Sequence, residues 1–377
     1  MQILELAMFN ANFLGSFGDS LLTLGRELKK NNDQMIVCFP EERNWMRIFR
    51  GEDIPVEIVP MSYPVNVKGI IKLFNLVNKY RAEVIHTNFG IESRIAGAII
   101  RLISPLHPKV VWHWRGGPSR PNVFKKVIGS AIYKILDVAL VNVHIPNSDL
   151  IKEQLLSYGI VTPEKVKVIY NGINASRFNP LKVKNARAEL KIESHEFVIG
   201  NVRNFRSRVN HKIIIDTARI VLSKKDNIKF LLVGDGPTRK DIENYASSLG
   251  LKNKIIFTGI QENVERIYAS CDLTVVSYEP WCGETVCNAV YESLCMEKPV
   301  VLPDIGSISH ILNEGEGVFM VRPEPEEMAR KILELINTPE AIIKAGKMGR
   351  GAVLKRFTTS LWAQEMRSVF LEVLKTL

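Results

Sequence analysis

Two carboxylates stand eight residues apart in the segment Glu284–Glu292, which reads Glu-Thr-Val-Cys-Asn-Ala-Val-Tyr-Glu. We expect a helix from this segment to about Met296, on which eight residues make a little over two turns. With Glu284 at the loop edge, the two acids would approach one ligand from different depths and accept hydrogen bonds from paired hydroxyls. The alternative is a pair of solvated carboxylates on a surface helix.

The start of that predicted helix is also a candidate anion site. Its backbone N–H groups around Cys287, Asn288 and Ala289 would face whatever lies in front of the helix. A helix N-terminus binds phosphate through such donors and through its dipole, which suits a diphosphate. Phosphate donors flanked by carboxylates therefore predict a pocket for a nucleotide sugar.

A second candidate is the cation-rich loop that follows the first predicted strand of the second half. It carries Arg203, Arg206 and Arg208, followed by His211 and Lys212. Guanidinium groups bind phosphate oxygens bidentately, and three arginines within six residues would repel one another without an anion between them. The loop is therefore a candidate phosphate clamp, with an ordinary surface loop as the alternative.

Two further motifs follow predicted strands. Leu232–Pro237 contains Gly-Asp-Gly, but it lacks the third glycine of a dinucleotide fingerprint, so a tight turn explains it nearly as well. In the first half, the strand expected at Lys109–Trp114 is followed by Arg115, and strand alternation places His113 and Arg115 on one side. Both could meet a substrate, with a buried structural histidine as the alternative for His113.

The elements that must position these side chains alternate between strand-length apolar runs and amphipathic runs of helix length. This pattern predicts parallel sheets wrapped by helices, an α/β fold. Strands are expected over residues 2–9, 35–39, 83–87, 109–114 and 138–143 in the first half, and 197–201, 228–234, 254–258, 272–277 and 299–303 in the second. Ligands of such sheets bind beyond the carboxyl ends of the strands, and two facing units would create a central cleft.

Two domains are predicted, because 377 residues exceed what one hydrophobic core usually fills. We place the join near Val168–Asn174, which gives two Rossmann-like, doubly wound domains over residues 1–170 and 171–357. The final amphipathic segment, Leu361–Leu374, could dock on either of them.

Composition narrows the class of protein. Hydrophobic residues make up 46% and charged residues 24%, which fits a globular chain and excludes collagen-like, coiled-coil or disordered types. Five cysteines without a C-x-x-C pair predict neither a disulfide framework nor a zinc site, and they favour a reducing compartment. Charges interrupt the apolar runs and the N-terminus lacks a cationic leader, so we expect a cytoplasmic protein without a membrane span.

The net charge of +10 calls for an anionic partner. The stretch Arg101–Lys134 holds seven basic residues and no acid, interleaved with Trp112, Trp114 and Phe124. An anionic membrane surface or nucleic acid would suit this stretch, and a solvated basic face is the plain alternative. Nucleic acid is disfavoured because the arginines cluster with carboxylates that would repel its phosphate backbone.

Taken in order, these segments resemble the family-four retaining glycosyltransferases, which have the GT-B fold. The similarity covers essentially the whole chain. Glu284–Glu292 with the following Ser-Leu-Cys-Met-Glu-Lys-Pro-Val-Val resembles the family's E-x7-E signature and its trailing motif. Gly234–Pro237, Val168–Asn174, Leu14–Ser16 and Asn147–Glu153 match further segments of the family.

The resemblance implies roles for the donor-binding positions. Glu284 would contact the donor sugar, and Glu292 would contact the ribose hydroxyls. Arg203 and Arg208 would hold the diphosphate, with Arg206 as the alternative partner in that pair.

It also implies roles for the first domain. Gly15 and Ser16 would let the backbone approach the donor, and residues 358–377 would cross back to this domain. The strand that usually ends in His-Gly reads Arg115-Gly116, so either Arg115 or His113 would take the catalytic histidine's role.

The implied reaction moves a sugar from a nucleotide diphosphate sugar to a hydroxyl, with the anomeric configuration retained. No D-x-D sequence occurs, so neither a metal nor another cofactor is expected. The basic stretch favours a glycan or lipid-linked glycan acceptor at the cytoplasmic membrane face, as in lipopolysaccharide, capsule or O-antigen assembly. A nucleotide-sugar epimerase or phosphorylase of the same fold stays open as an alternative.

Overall fold

The computed structural model describes residues 1–9, 14–61, 66–116, 140–279, 287–305 and 308–376. Its chain divides into two compact units, one made of Met1–Gly172 with Thr359–Leu377 and the other of Ile173–Thr358. The first join lies at Gly172, compared with the expected boundary at residue 170. The returning segment begins at Thr359, compared with the expected residue 358.

The first unit is built on a parallel six-stranded sheet. Its strands are β1 Gln2–Ala7, β2 Gln34–Phe39, β3 Val56–Ile58, β4 Val84–Asn88, β5 Lys109–Trp114 and β6 Val143–Pro146. They lie in the order β3-β2-β1-β4-β5-β6. The helices before the second unit are α1 Ser16–Lys30, α2 Arg47–Gly51, α3 Val67–Tyr80, α4 Ile91–Ile103 and α5 Asp149–Ser157.

The second unit repeats this architecture with another parallel six-stranded sheet. Its strands are β7 Phe197–Val202, β8 Ile228–Val233, β9 Ile255–Gly259, β10 Leu273–Val275, β11 Val300–Pro303 and β12 Val318–Val321, in the order β12-β11-β10-β7-β8-β9. Its helices are α6 His211–Leu222, α7 Arg239–Ser248, α8 Val264–Ser270, α9 Asn288–Cys295, α10 Ile308–Ile311, α11 Pro325–Ile336 and α12 Pro339–Arg356. The C-terminal helix α13, Thr359–Lys375, belongs to the first unit.

The inner strands are buried along most of their length because helices cover both faces of each sheet. In β1 and β2, residues 3–7 and 35–39 are buried without interruption. On one face of the first sheet, α1 places its leucines at helical spacing against α13. Their shared core contains Leu21, Leu24, Leu28, Trp362, Met366 and Phe370.

Two helices of the first unit begin with a side-chain N-cap. The side chain of Asn66 accepts a hydrogen bond from the backbone N–H of Gly69 at 2.6 Å, and so caps α3. The Ser148 hydroxyl caps α5 in the same way, accepting from Ile151 at 3.3 Å. Both caps satisfy amide groups that have no partner within the helix.

Several predicted element boundaries were wrong. The strand expected at residues 138–143 is β6, which begins at Val143, because its ladder with β5 pairs Val111 with Val143 and Trp114 with Pro146. By contrast, the helix expected in the segment Glu284–Glu292 and on to about Met296 is α9, which begins at Asn288 with Cys287 as N-cap, where the free N–H groups were expected. The short edge strands β3 and β12 were not expected, since three or four residues carry too little pattern to mark a strand.

Four cysteines, Cys38, Cys271, Cys287 and Cys295, are free thiols, and Cys282 lies outside the described residues. Across the described ranges, no helix combines the length and apolarity that crossing a bilayer requires. Most of the basic stretch, from residue 117 onward, also lies outside the described residues.

Candidate functional site

In the second unit, the cationic loop comes to the start of α9. Arg203 directly follows β7, and Cys287 is the N-cap residue of α9. The guanidinium Nη1 of Arg203 contacts the Sγ of Cys287. A positive side chain and the positive end of a helix dipole are therefore neighbours, which is a favourable environment for an anion.

Glu292 lies five residues beyond Cys287 on the same helix, and only 7% of it is exposed. The hydroxyl of Tyr268, on α8, donates a hydrogen bond to Oε2 of Glu292 at 3.0 Å. Burial, and then the charge of Glu292, raises the pKa of Tyr268 well above its ordinary value, so the hydroxyl remains a donor. A buried carboxylate is thus held in position beside the helix start.

The Gly-Asp-Gly turn allows the cationic loop to lie close to β8. Gly234 and Gly236 have φ angles of +135° and +151°, and a Cβ on them would lie 2.1 Å and 2.2 Å from the carbonyl oxygens of Arg203 and Phe205. The loop is fastened there by hydrogen bonds from Arg203 N to Val233 O, at 2.9 Å, and from Phe205 N to Asp235 O, at 3.0 Å. The turn therefore sets the position of Arg203, because only glycine allows this approach.

Arg206 and Arg208 have exposed side chains. The carbonyl oxygen of Arg208 accepts a hydrogen bond from the backbone N–H of Glu279 at 3.0 Å, so this residue lies beside the segment after β10. His211 begins α6 and stacks on Phe205, with ring centroids 4.0 Å apart. Burial, and then the charge of Arg203, lowers the pKa of His211 to about 4.

Among the predicted donor-site residues, Arg203, Cys287, Asn288 and Ala289 lie together at the start of α9, and Glu292 lies about one turn further along that helix. The hydroxyl of Tyr268 also lies 3.4 Å from the carbonyl oxygen of Ala289. Glu284 lies outside the described residues, so its contact with the donor sugar stays a prediction. Tyr268 was missed because a tyrosine within a short helix has no pattern that indicates its partner.

In the first unit, Arg115 follows β5 at the carboxyl edge of the sheet. Its Nε donates to Oδ1 of Asn88 at 2.8 Å and its Nη1 donates to Oδ1 of Asn171 at 3.2 Å. The guanidinium carbon lies 4.1 Å from the centre of the Phe17 ring. Burial lowers the pKa of Arg115 to about 9, which leaves it protonated at neutral pH.

His113 is fully buried and is linked to a carboxylate through a second histidine. Its Nδ1 lies 3.3 Å from Nε2 of His86, and Nδ1 of His86 lies 2.5 Å from Oε2 of Glu5. Burial, and then the charge of Arg115, holds the pKa of His113 well below its ordinary value. His113 and Arg115 both reach Trp362, with the His113 ring centroid 6.2 Å and the Arg115 guanidinium carbon 5.4 Å from its ring.

Gly15 and Ser16 lie at the same edge of the first sheet as Arg115. Gly15 is the extended N-cap residue of α1, Ser16 is its first residue, and the adjacent Phe17 packs on Arg115. Glu5, His86 and Asn88 were not expected as neighbours of this site. The signal that could have found them is the presence of polar side chains in buried strands, Glu5 in β1 and His86 and Asn88 in β4.

Comparison with known proteins identifies the two halves. Residues 18–177 match the family described as Glycosyltransferase Family 4, and residues 182–352 match the family described as Glycosyl transferases group 1. The chain is 21% identical to the N-acetyl-alpha-D-glucosaminyl L-malate synthase of Bacillus anthracis over 322 residues, which cover 83% of this chain and 80% of that protein.

A second relative is the UDP-Gal:alpha-D-GlcNAc-diphosphoundecaprenol alpha-1,3-galactosyltransferase of Escherichia coli. It is 25% identical over 284 residues, which cover 71% of this chain and 70% of the relative. Among solved structures, Anabaena Alr3699/HepE in complex with UDP shares the fold with a TM-score of 0.81 and 21% identity, over 99% of this chain and 100% of that one. With two glycosyltransferase families matched in succession on two parallel six-stranded sheets, the chain belongs to the GT-B glycosyltransferases of family 4 and group 1.

Proposed function

We propose that this glycosyltransferase moves a sugar from a nucleotide diphosphate sugar to a hydroxyl of a glycan or lipid-linked glycan, with the anomeric configuration retained. The observation that carries the donor assignment is the contact of Arg203 with Cys287 at the start of α9, five residues before the buried Glu292. These groups supply positive charge for a diphosphate and a fixed acceptor for ribose hydroxyls.

Charge stabilisation is the main chemical task in this reaction. The transition state separates an oxocarbenium-like sugar from a departing diphosphate, whose growing negative charge needs donors fixed in advance. Arg203 and the helix start at Cys287, Asn288 and Ala289 take that role, with Arg208 or Arg206 as the second cation. In this proposal Glu284 would contact the sugar, and His113 or Arg115 would take the role of the catalytic histidine.

UDP is the first nucleotide to test, since the similar Anabaena protein was solved in complex with UDP. We expect no metal requirement, because arginine and helix donors can neutralise the diphosphate, and transfer should survive addition of EDTA. Retention of configuration is checked by the anomeric proton coupling of the first product formed.

The acceptor proposal draws on one relative, whose name specifies a diphosphoundecaprenol-linked sugar. A lipid-linked acceptor would place this chain at the inner face of the cytoplasmic membrane, in the synthesis of cell-surface polysaccharide such as lipopolysaccharide. The basic residues of 101–134 would then face anionic lipid. Sedimentation with anionic vesicles at low salt should exceed sedimentation with neutral vesicles, and equal recovery would contradict this location.

The donor site is tested by thermal shift with UDP, GDP, ADP and their sugars. One nucleotide should raise the melting temperature of the wild type selectively, and Glu292→Gln and Arg203→Gln should each lose most of that rise. Glu265→Gln is the matched control, because Glu265 is a largely buried carboxylate on the neighbouring α8 that pairs with Arg177 at 2.9 Å. A rise that survives in both site variants would refute the assignment.

A further inference from the structure

The carboxyl edge of the first sheet holds a cluster of ionisable and amide side chains, Glu5, His86, Asn88, His113 and Arg115, that we call the Arg115 cluster. We propose that Arg115 binds an oxyanion, a carboxylate or phosphate, carried by the sugar substrate. This inference rests on the proposed sugar transfer and adds the chemical class of one substrate.

Among the residues that the structure describes, no carboxylate pairs directly with Arg115. Its Nε and Nη1 donate to the side-chain oxygens of Asn88 and Asn171, which are neutral amides. Its Nη2 is buried and has no hydrogen-bond partner among the residues that the structure describes. Burying a guanidinium nitrogen without a hydrogen-bond partner costs free energy, and an anionic ligand that accepts from this nitrogen would offset that cost.

The nearby carboxylate of Glu5 does not fill this need. Its Oε2 lies 2.5 Å from Nδ1 of His86, and its Oε1 accepts from Nδ2 of Asn88. The Asn88 amide therefore stands between the two charges, with its amine towards Glu5 and its oxygen towards Arg115. This arrangement fixes the guanidinium in orientation while leaving its charge available.

The surroundings of the guanidinium also favour an acceptor-rich ligand. Phe17 and Trp362 lie 4.1 Å and 5.4 Å from its central carbon, so apolar rings rather than water cover much of it. The indole N–H of Trp362 is buried and, within the described ranges, also has no hydrogen-bond partner. Both groups can only donate, so the missing partner must accept hydrogen bonds. Arg115 as a residue is partly exposed, although its Nη2 is buried.

The test measures binding of glucuronate, glucose 6-phosphate and neutral glucose to the full chain by calorimetry. The wild type should bind at least one acidic sugar at least about tenfold more tightly than glucose, and Arg115→Gln should remove that preference. Arg115→Lys should keep part of it, because the charge stays while the planar fork is lost.

Arg367→Gln is the matched control. Arg367 is another partly buried arginine of the first unit, on α13, and its Nε donates to Oδ2 of Asp33 at 2.8 Å. The Arg367→Gln variant should bind all three probes as the wild type does. Melting temperatures of each variant show whether it is folded.

Two further binding measurements distinguish an anion on the donor sugar from an anion on the acceptor. A preference for UDP-glucuronate over UDP-glucose that Arg115→Gln abolishes assigns the anion to the donor sugar. Binding of glucuronate or glucose 6-phosphate in the presence of saturating UDP-glucose assigns it to the acceptor. The proposal is overturned when the wild type shows no preference in either arm, or when Arg115→Gln retains it. The thermal-shift test with Glu292→Gln measures nucleotide binding independently, so a failure of the proposed function can be told apart from a failure of this proposal.

Discussion

The hydrogen bond between Tyr268 and Glu292 should stabilise the second unit and the donor site together. Tyr268 is 1% exposed and Glu292 is 7% exposed, and the hydroxyl lies 3.0 Å from Oε2. Tyr268→Phe keeps the ring against Phe178, whose centroid is 6.1 Å away, and removes only this donor. The buried carboxylate would then lack one of its hydrogen bonds.

The loss of stability in Tyr268→Phe depends on the charge and the burial of the acceptor, Glu292. A hydrogen bond to a charged group contributes about 1.5–3 kcal/mol, and the free energy of unfolding should fall by about that amount. For a unit of this size, that loss lowers the melting temperature by roughly 3–12 °C. Because the ring remains, no large cavity adds to the loss.

The assay is urea unfolding of the full chain, in which the unfolding transition of the second unit is followed. A double-mutant cycle combines Tyr268→Phe with Glu292→Gln. The two substitutions should be clearly non-additive, since they remove the same interaction. UDP should bind more weakly to Tyr268→Phe, whereas a UDP analogue without ribose hydroxyls should bind wild type and variant equally. This second measurement separates positioning of Glu292 from general stability.

Tyr245→Phe is the matched control, because Tyr245 donates to Oδ1 of Asp216 at 2.6 Å in a partly exposed place on the same unit. Water replaces that hydrogen bond, so the loss should be clearly smaller. Equal losses for the two variants, or a Tyr268→Phe loss below about 0.5 kcal/mol, would refute the argument from burial.

Two further results are expected. Gly234→Ala should lower the free energy of unfolding by at least about 2 kcal/mol and weaken UDP binding, because the new Cβ would lie 2.1 Å from the Arg203 carbonyl oxygen at a φ of +135°. Gly250→Ala is the control, since Gly250 also has a positive φ but a Cβ there would meet no atom within 4 Å. This control should leave UDP binding unchanged. The free energy of unfolding should also fall as the pH drops from about 6.5 to 4. Burial and the charge of Arg203 lower the pKa of His211 to about 4 in the folded protein. In the unfolded chain this histidine takes up its proton at a higher pH, so acid favours the unfolded state. His211→Phe should make that fall shallower in urea titrations at several pH values, and an unchanged slope would contradict the assignment.

Local pattern was sufficient for the inner strands of the two sheets. Apolar runs such as Lys109–Trp114 are short-range features, so their positions are close to those expected. The edge strands β3 and β12 could not be expected, because three or four residues form a strand only when a neighbouring strand supplies hydrogen bonds. The start of β6 was misplaced for a related reason, since its partner β5 sets the register.

By itself, the sequence determined the α/β class and the two halves. It also placed Arg203, His113 and Arg115 at the ends of strands and Glu292 on a helix. Only the tertiary structure decided which side chains meet, since Arg203 and Cys287 are 84 positions apart and Glu5 and His86 are 81 apart. Such contacts depend on strand order and register, which arise from packing over the whole sheet rather than from neighbours along the chain.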